Sequence, residues 1–171
     1  NMLNVNDKIL ILHVGSSAFG KENSISRFIN NFNKLPIYLR KCIAIENDDK
    51  VFNVNDVLNI SKVTSIPVVL DYHHHLCNKS DFSFADIFNS WGNRRVKMHF
   101  SSPKNKRDYR SHNEYINGDD FINFIEILKK YDRDIDIMLE AKGKDDSLFR
   151  LVRYIKYKTD YKFIDDTTFL V

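Results

Sequence analysis

Five short apolar runs in this sequence each end in a residue able to bind a metal ion: His13 after KILIL, Glu46 after CIAI, Asp71 after PVVL, His99 closing RVKMH, and Glu140 after IDIML. A strand period of two accounts for the recurrence. Leu10 and Leu12, Ile43 and Ile45, Val68 and Leu70, Val96 and Met98, and Ile137 and Leu139 then share one face, and the ligand-type residue takes the other. Parallel barrels turn the apolar outer face of each strand to a ring of helices and gather functional groups at the strands' carboxyl ends. The run ends are separated by 33, 25, 28 and 41 residues, about the length of a strand and helix unit. The expected fold is α/β, built of barrel units around a metal cluster.

At 171 residues the chain is one domain with room for a core, yet it falls short of the ~250 residues of a complete eight-stranded barrel. Between the strands the periodicity becomes helical. The turn GSSAFG leads into a stripe of Ile25, Phe28, Ile29 and Phe32; Asn55 is placed as the cap of a helix that turns Val57, Leu58, Ile60 and Val63 inward; FSFADIFNSW supplies a third helix. Helices are also expected over 119–131 and 145–156, whereas the polar stretch 101–118 is long enough for a functional loop. Strand-like letters in KTDYKFIDDTTFLV receive no assignment. The expected organisation is a barrel region at 1–158 and a tail at 159–171.

Composition sets coarse limits. The run ILILHV is too short for a signal peptide and follows Asp7, and no apolar stretch approaches the ~20 residues of a membrane helix, so a soluble protein without a membrane partner is expected. Cys42 and Cys77 fit no zinc-knuckle spacing and are read as small core or strand-end residues of an intracellular protein. A net charge of +3 is too small to prove a nucleic-acid partner, and no glycine-rich phosphate loop is present. Asn1 precedes Met2 with no leader composition, which reads as the later part of something longer.

Two further imidazoles strengthen the strand-end set. DYHHHL places three histidines just past Asp71, where His74 is read as reaching a metal, and His73 and His75 as solvated in a polar loop. His112, in RSHNEY, taken alone is an exposed loop histidine. Three carboxylates and several imidazoles without a thiolate suit manganese or zinc better than copper or an iron-sulfur cluster. Two or three divalent ions would outweigh the charges of Glu46, Asp71 and Glu140, leaving a pocket that attracts phosphate and suits phosphodiester hydrolysis.

The blocks LHVG at 12–15, AIENDD at 44–49, DYHHHLCN at 71–78, KMHFSSP at 97–103 and MLEAKGKD at 138–145 together resemble the UV damage endonucleases, in order and in spacing up to about Arg153. The resemblance implies a TIM barrel related to the AP endonucleases and xylose isomerases. It also implies metal-dependent incision of damaged double-stranded DNA on the 5′ side of UV lesions. Carried over by position, the family's metal ligands fall on His13, Glu46, Asp71, His74, His99, His112 and Glu140; the ligand chemistry and charge balance above set the expected ions at two or three, manganese ahead of zinc. The family's first three strands, with further histidines and lesion-probing residues, have no counterpart here. The chain is therefore expected to hold strands four to eight, with an open edge that invites self-association.

Lys97 lies two residues before His99 on the same inner face. Beside divalent ions it would be deprotonated, bonded to a phosphate or carboxylate, or converted to a carbamate; the bland alternative is a lysine reaching solvent. With Glu46, Asp71 and Glu140 it completes the candidate catalytic set. Lys104, Lys106, Arg107 and Arg110 crowd the loop that carries His112 and are candidate contacts to DNA phosphates. Two rivals share these residues: a metal-dependent sugar isomerase or epimerase of the same barrel type, whose mouth should be narrow and acidic, and an impaired fragment that binds metal or DNA without catalysis.

Overall fold

A computed structural model of the protein describes residues 8–171. Five strands form one parallel sheet in sequence order: β1 (Leu10–His13), β2 (Ile43–Glu46), β3 (Val68–Asp71), β4 (Val96–Phe100) and β5 (Ile135–Leu139). Helices fill the crossovers: α1 (Lys21–Lys34) with the short α2 (Ile37–Arg40), α3 (Val54–Thr64), α4 (Tyr72–Cys77) with α5 (Phe84–Ser90), and α6 (Gly118–Lys129). After α7 (Lys144–Lys158) the chain closes with an antiparallel pair, β6 (Lys162–Phe163) and β7 (Phe169–Leu170). The five parallel strands in unbroken order, each followed by a helix, are successive units of a TIM barrel.

Burial explains the alternation in the sequence. β2 and β3 are buried along their whole length because both faces are covered. On the outer face α3 packs Val54, Val57, Leu58 and Ile60, and α6 packs Phe121, Phe124 and Leu128, each set at helical spacing. Phe100 lies 5.1 Å from Phe124 and 5.2 Å from Phe121 between ring centroids, joining the end of β4 to α6. The register is staggered: His13 pairs with Glu46, but Glu46 pairs with Val69, and His99 pairs with Met138. Tilted barrel strands accumulate such offsets.

Several local expectations change. Asn53, not Asn55, caps α3, because its side chain accepts from Asp56 N while Asp56 bonds back to Asn53 N, a reciprocal pair that Asn55 cannot make. The DYHHHL segment is a helix, α4, capped by Asp71, whose Oδ1 accepts from His74 N at 2.7 Å. Cys42 sits before β2 as expected of a strand-end residue; Cys77 closes α4, and both are free thiols at partial exposure, outside the core. The unassigned tail forms the β6–β7 hairpin, whose Tyr161, Phe163 and Phe169 pack against the core.

Among the described residues β1 pairs only with β2, and β5 only with β4. Leu10 and Met138, on these two edge strands, are 60% and 61% exposed, unlike the sealed strands between them. No described helix is long and apolar enough to cross a membrane.

Candidate metal centre

The carboxyl ends of all five strands meet on the inner face of the curved sheet. Glu46 is buried at the end of β2, Asp71 is fully buried at the end of β3, and His99 is buried near the end of β4. Glu140 follows β5, and its backbone N–H donates to the Phe100 carbonyl at 2.9 Å, extending the β4–β5 pairing by one step. His99 Nδ1 stands 3.0 Å from Glu46 Oε1 and 3.2 Å from Glu140 Oε1. His74 Nδ1 stands 3.5 Å from Asp71 Oδ2 and 3.7 Å from Glu46 Oε1. Two overlapping groups of ligand atoms, Glu46 with Asp71 and His74, and Asp71 with His99 and Glu140, each fall within 4.8 Å. Asp71 belongs to both.

His13 and His112 flank this cluster instead of lying in it. His13 Nε2 is 3.5 Å from Glu46 Oε2 with nearly half its side chain exposed, and His112 Nδ1 is 3.7 Å from Glu140 Oε2. All seven residues carried over by resemblance therefore share one end of the sheet, five in the cluster and two at its rim.

The donor set fits a divalent cation on two observations. Asp71 Oδ2 is buried without a hydrogen-bond partner, an expensive state that a cation would relieve. Electrostatics agree: burial pushes the Asp71 carboxyl above its ordinary range, against the pull of His74. Burial also opposes protonation of His99, yet its hydrogen bonds to Glu140 and Glu46 and their negative charges raise it to about 10. The bond from His99 in turn lowers Glu140. A proton here serves the role of a cation among acidic groups.

Asn47 was not singled out by the sequence reading. Its fully buried amide donates to the Asp71 carbonyl at 3.0 Å and accepts from Asp71 N at 2.9 Å, so it acts as an extra rung joining β2 to β3. Its own carbonyl meets His74 Nδ1 at 3.0 Å. One residue thus fixes both Asp71 and His74. The signal available in the sequence was an amide immediately after the strand-end glutamate, where a ladder needs a partner.

The three neighbouring histidines diverge as helix geometry requires, about 100° apart. Only His74 faces the cluster. His75 packs edge-on against Phe82, with ring centroids 4.9 Å apart, and His73 is fully buried under the 101–117 loop, so neither is the solvated loop residue expected. Burial lowers both imidazoles below their ordinary value.

Lys97 lies one layer below His99. Its register partner is Asp136, and its Nζ donates to Asp136 Oδ2 at 2.8 Å. The basic loop projects from the mouth: Lys104 pairs with Asp108 at 3.4 Å and Arg110 with Asp49 at 3.4 Å, and Lys104, Lys106, Arg107 and Arg110 are all exposed. Beside it an open cleft of about 620 Å³ is bounded by Arg110, His112, Glu140, Lys142 and Lys144. Lys142 and Lys144 escaped the sequence reading, although AKGKD directly follows a strand end. Their loop is tied to the His112 loop by Lys142 N to the Asn113 carbonyl at 3.1 Å and Gly143 N to the Glu114 carbonyl at 2.8 Å. A Cβ on Gly143 would lie 2.7 Å from the Glu114 oxygen, so only glycine permits this approach.

Fold and site together define a barrel protein with a carboxylate and histidine centre at the strand ends. Comparison with known proteins narrows this. The profile of the family described as UV-endonuclease UvdE matches residues 1–168, and the chain belongs to that family. It is 38% identical over 147 residues to the UV DNA damage endonuclease of Bacillus cereus (strain G9842), covering 82% of this chain and 46% of the relative. The corresponding protein of Bacillus cereus (strain 03BB102) is 35% identical over 163 residues, covering 92% and 51%. The crystal structure of SacUVDE superposes with a TM-score of 0.75 at 37% identity, over 88% of this chain and 52% of that one. The chain thus spans about half the length of the relatives it matches.

Proposed function

We propose that this chain carries the metal centre and one wall of the DNA-binding mouth of an endonuclease that hydrolyses the phosphodiester 5′ to UV lesions in double-stranded DNA. The observation that carries the reading is Asp71, buried with an orphaned oxygen and shared by two ligand groups, in a member of the UvdE family. His13, Glu46, Asp71, His74, His99, His112 and Glu140 are the ligand set for two or three divalent ions, manganese ahead of zinc. Bound there, such ions supply a deprotonated water at neutral pH and stabilise the leaving oxygen.

The chain's own groups have separate tasks. Asp71, held by Asn47, would serve both ligand groups; Glu46 and Glu140 hold the cluster from either side, each against His99. Lys97, anchored on Asp136, supports the His99 layer from below. Lys104, Lys106, Arg107 and Arg110, joined by Lys142 and Lys144 across the cleft, bind the phosphates that flank the lesion. A basic rim favours a polyanion over the small polyol of an isomerase. Among the described residues, 8–158 are the barrel region and the hairpin is its tail. A substrate of this kind places the protein inside the cell, where DNA is.

Incubation of the chain with manganese and UV-irradiated duplex tests the reading. The expected result is manganese-dependent nicking at damaged sites, slower by about 100-fold or more than in a closed barrel, because positioning errors of ~1 Å have that cost. Turnover of a free sugar, with neither nicking nor duplex binding, would contradict it.

A further inference from the structure

His73 has no task in the chemistry above, yet it is among the most completely buried polar residues described. Its Nε2 lies 3.3 Å from the Arg110 carbonyl. A carbonyl only accepts, so Nε2 carries the proton and Nδ1 keeps a bare lone pair, which is buried without a partner. Cys77, one helical turn later on the same face, brings its Sγ to 3.8 Å from Nε2. The ring meets His112 edge-on, with centroids 5.5 Å apart at 85°, and lies 5.7 Å from the Tyr109 ring. A leucine of similar size would fill this space without stranding a nitrogen, so packing alone does not account for an imidazole.

The loop it touches needs an anchor. From 104 to 110 every residue except Asp108 is exposed, and the ties within and around the segment include the Lys104 N bond to the Ser111 carbonyl, the Asn105 side-chain turn, a 3.5 Å bond from Asn105 N to the Asp108 carbonyl, a bond between Asp108 and Ser111, and ion pairs made by the exposed Lys104 and Arg110. Exposed pairs contribute little. We infer that His73 is a positioning residue: it pins the 101–117 loop from beneath through the Arg110 carbonyl and its contact with His112, and so sets His112 against Glu140. The inference rests on the proposed metal role of His112. Partners that orient metal-binding groups from behind are worth about 10- to 100-fold in metal affinity.

Replacing His73 separates this from a plain core role. His73→Leu removes the donor at nearly constant volume, whereas His73→Gln places an amide N–H near the position of Nε2. The expected result for His73→Leu is a manganese Kd raised about 10- to 100-fold and amide hydrogen exchange at 104–112 accelerated by about tenfold, with His73→Gln restoring both to within about threefold. Exchange is measured without metal, so it reports the anchor by itself. A chain that binds no manganese but shows the loop loosening would sink the metal reading and sustain the anchor. If His73→Leu does not fold, His73→Asn, too short to reach Arg110, takes its place with the same expectations. Unchanged exchange at 104–112 in a folded variant, or a His73→Gln protein no better than His73→Leu, would overturn the inference.

Discussion

His99 and Glu46 touch although their strands do not: Nδ1 lies 3.0 Å from Oε1, while β3 separates β4 from β2 in the sheet. Strands two places apart are ~10 Å apart in a flat sheet. Side chains cross that gap here because the sheet curls and both residues project into its concave side. The same curvature brings His99 to Glu140 on the neighbouring strand's end. Convergence of this kind is what a closed parallel barrel gives its catalytic groups.

That contact makes metal-free stability depend on pH. His99 is raised from 6.5 to about 10, so its contribution is complete below pH 6.5 and is lost as pH rises through the folded value. The melting temperature of metal-free protein should fall between pH 7 and 10, and His99→Gln should flatten the fall. Manganese binding at pH 7.5 should release a proton, seen by calorimetry in two buffers of different ionisation enthalpy. A flat profile with no proton release would contradict the assignment.

Asn47→Leu should destabilise the fold by about 3 kcal/mol, since it strands the buried N–H and carbonyl of Asp71. Urea unfolding measures the loss. A change under about 0.5 kcal/mol, the range of ordinary surface substitutions, would mean that the amide is not a structural rung.

The basic loop should act through charge. Replacing Lys104, Arg107 and Arg110 together by alanine should reduce the slope of log K against log salt for duplex DNA by about two to three, near 0.9 for each phosphate no longer neutralised. Fluorescence anisotropy at several salt concentrations reads it. An unchanged slope would make the loop a solvated face.

The two open edges predict association. β1 and β5 each leave one row of backbone groups unpaired among the described residues, beside the exposed Leu10 and Met138. Sedimentation should show species above 20.2 kDa, the monomer mass, with apolar dye bound. A monomer that unfolds in one sharp transition would show that the half-open sheet is self-sufficient.

The strands and their end residues were legible because a period of two puts every strand-end ligand on the face opposite its apolar neighbours, a local property. What escaped was decided at a distance. Asn47 matters through β3, 24 residues on, and His73 is buried by Arg110, 37 residues on. HHH after a strand gives no local sign of whether the chain runs on as a helix, and its three residues then diverge. The hairpin at the end uses strands of two residues, too short for any periodicity to register. Lys142 and Lys144 gain their meaning only when Gly143 docks on Glu114 and brings both loops to one cleft.

The central claim is that the five strand ends hold divalent cations through Asp71, the residue common to both ligand groups. Manganese content after dialysis, measured by elemental analysis on wild-type chain and on Asp71→Asn, tests it most directly. The substitution preserves size and can still accept from His74 N, so the fold should survive. The account predicts at least one manganese ion per wild-type chain and loss of most of it in Asp71→Asn. Equal metal content in the two proteins would contradict it.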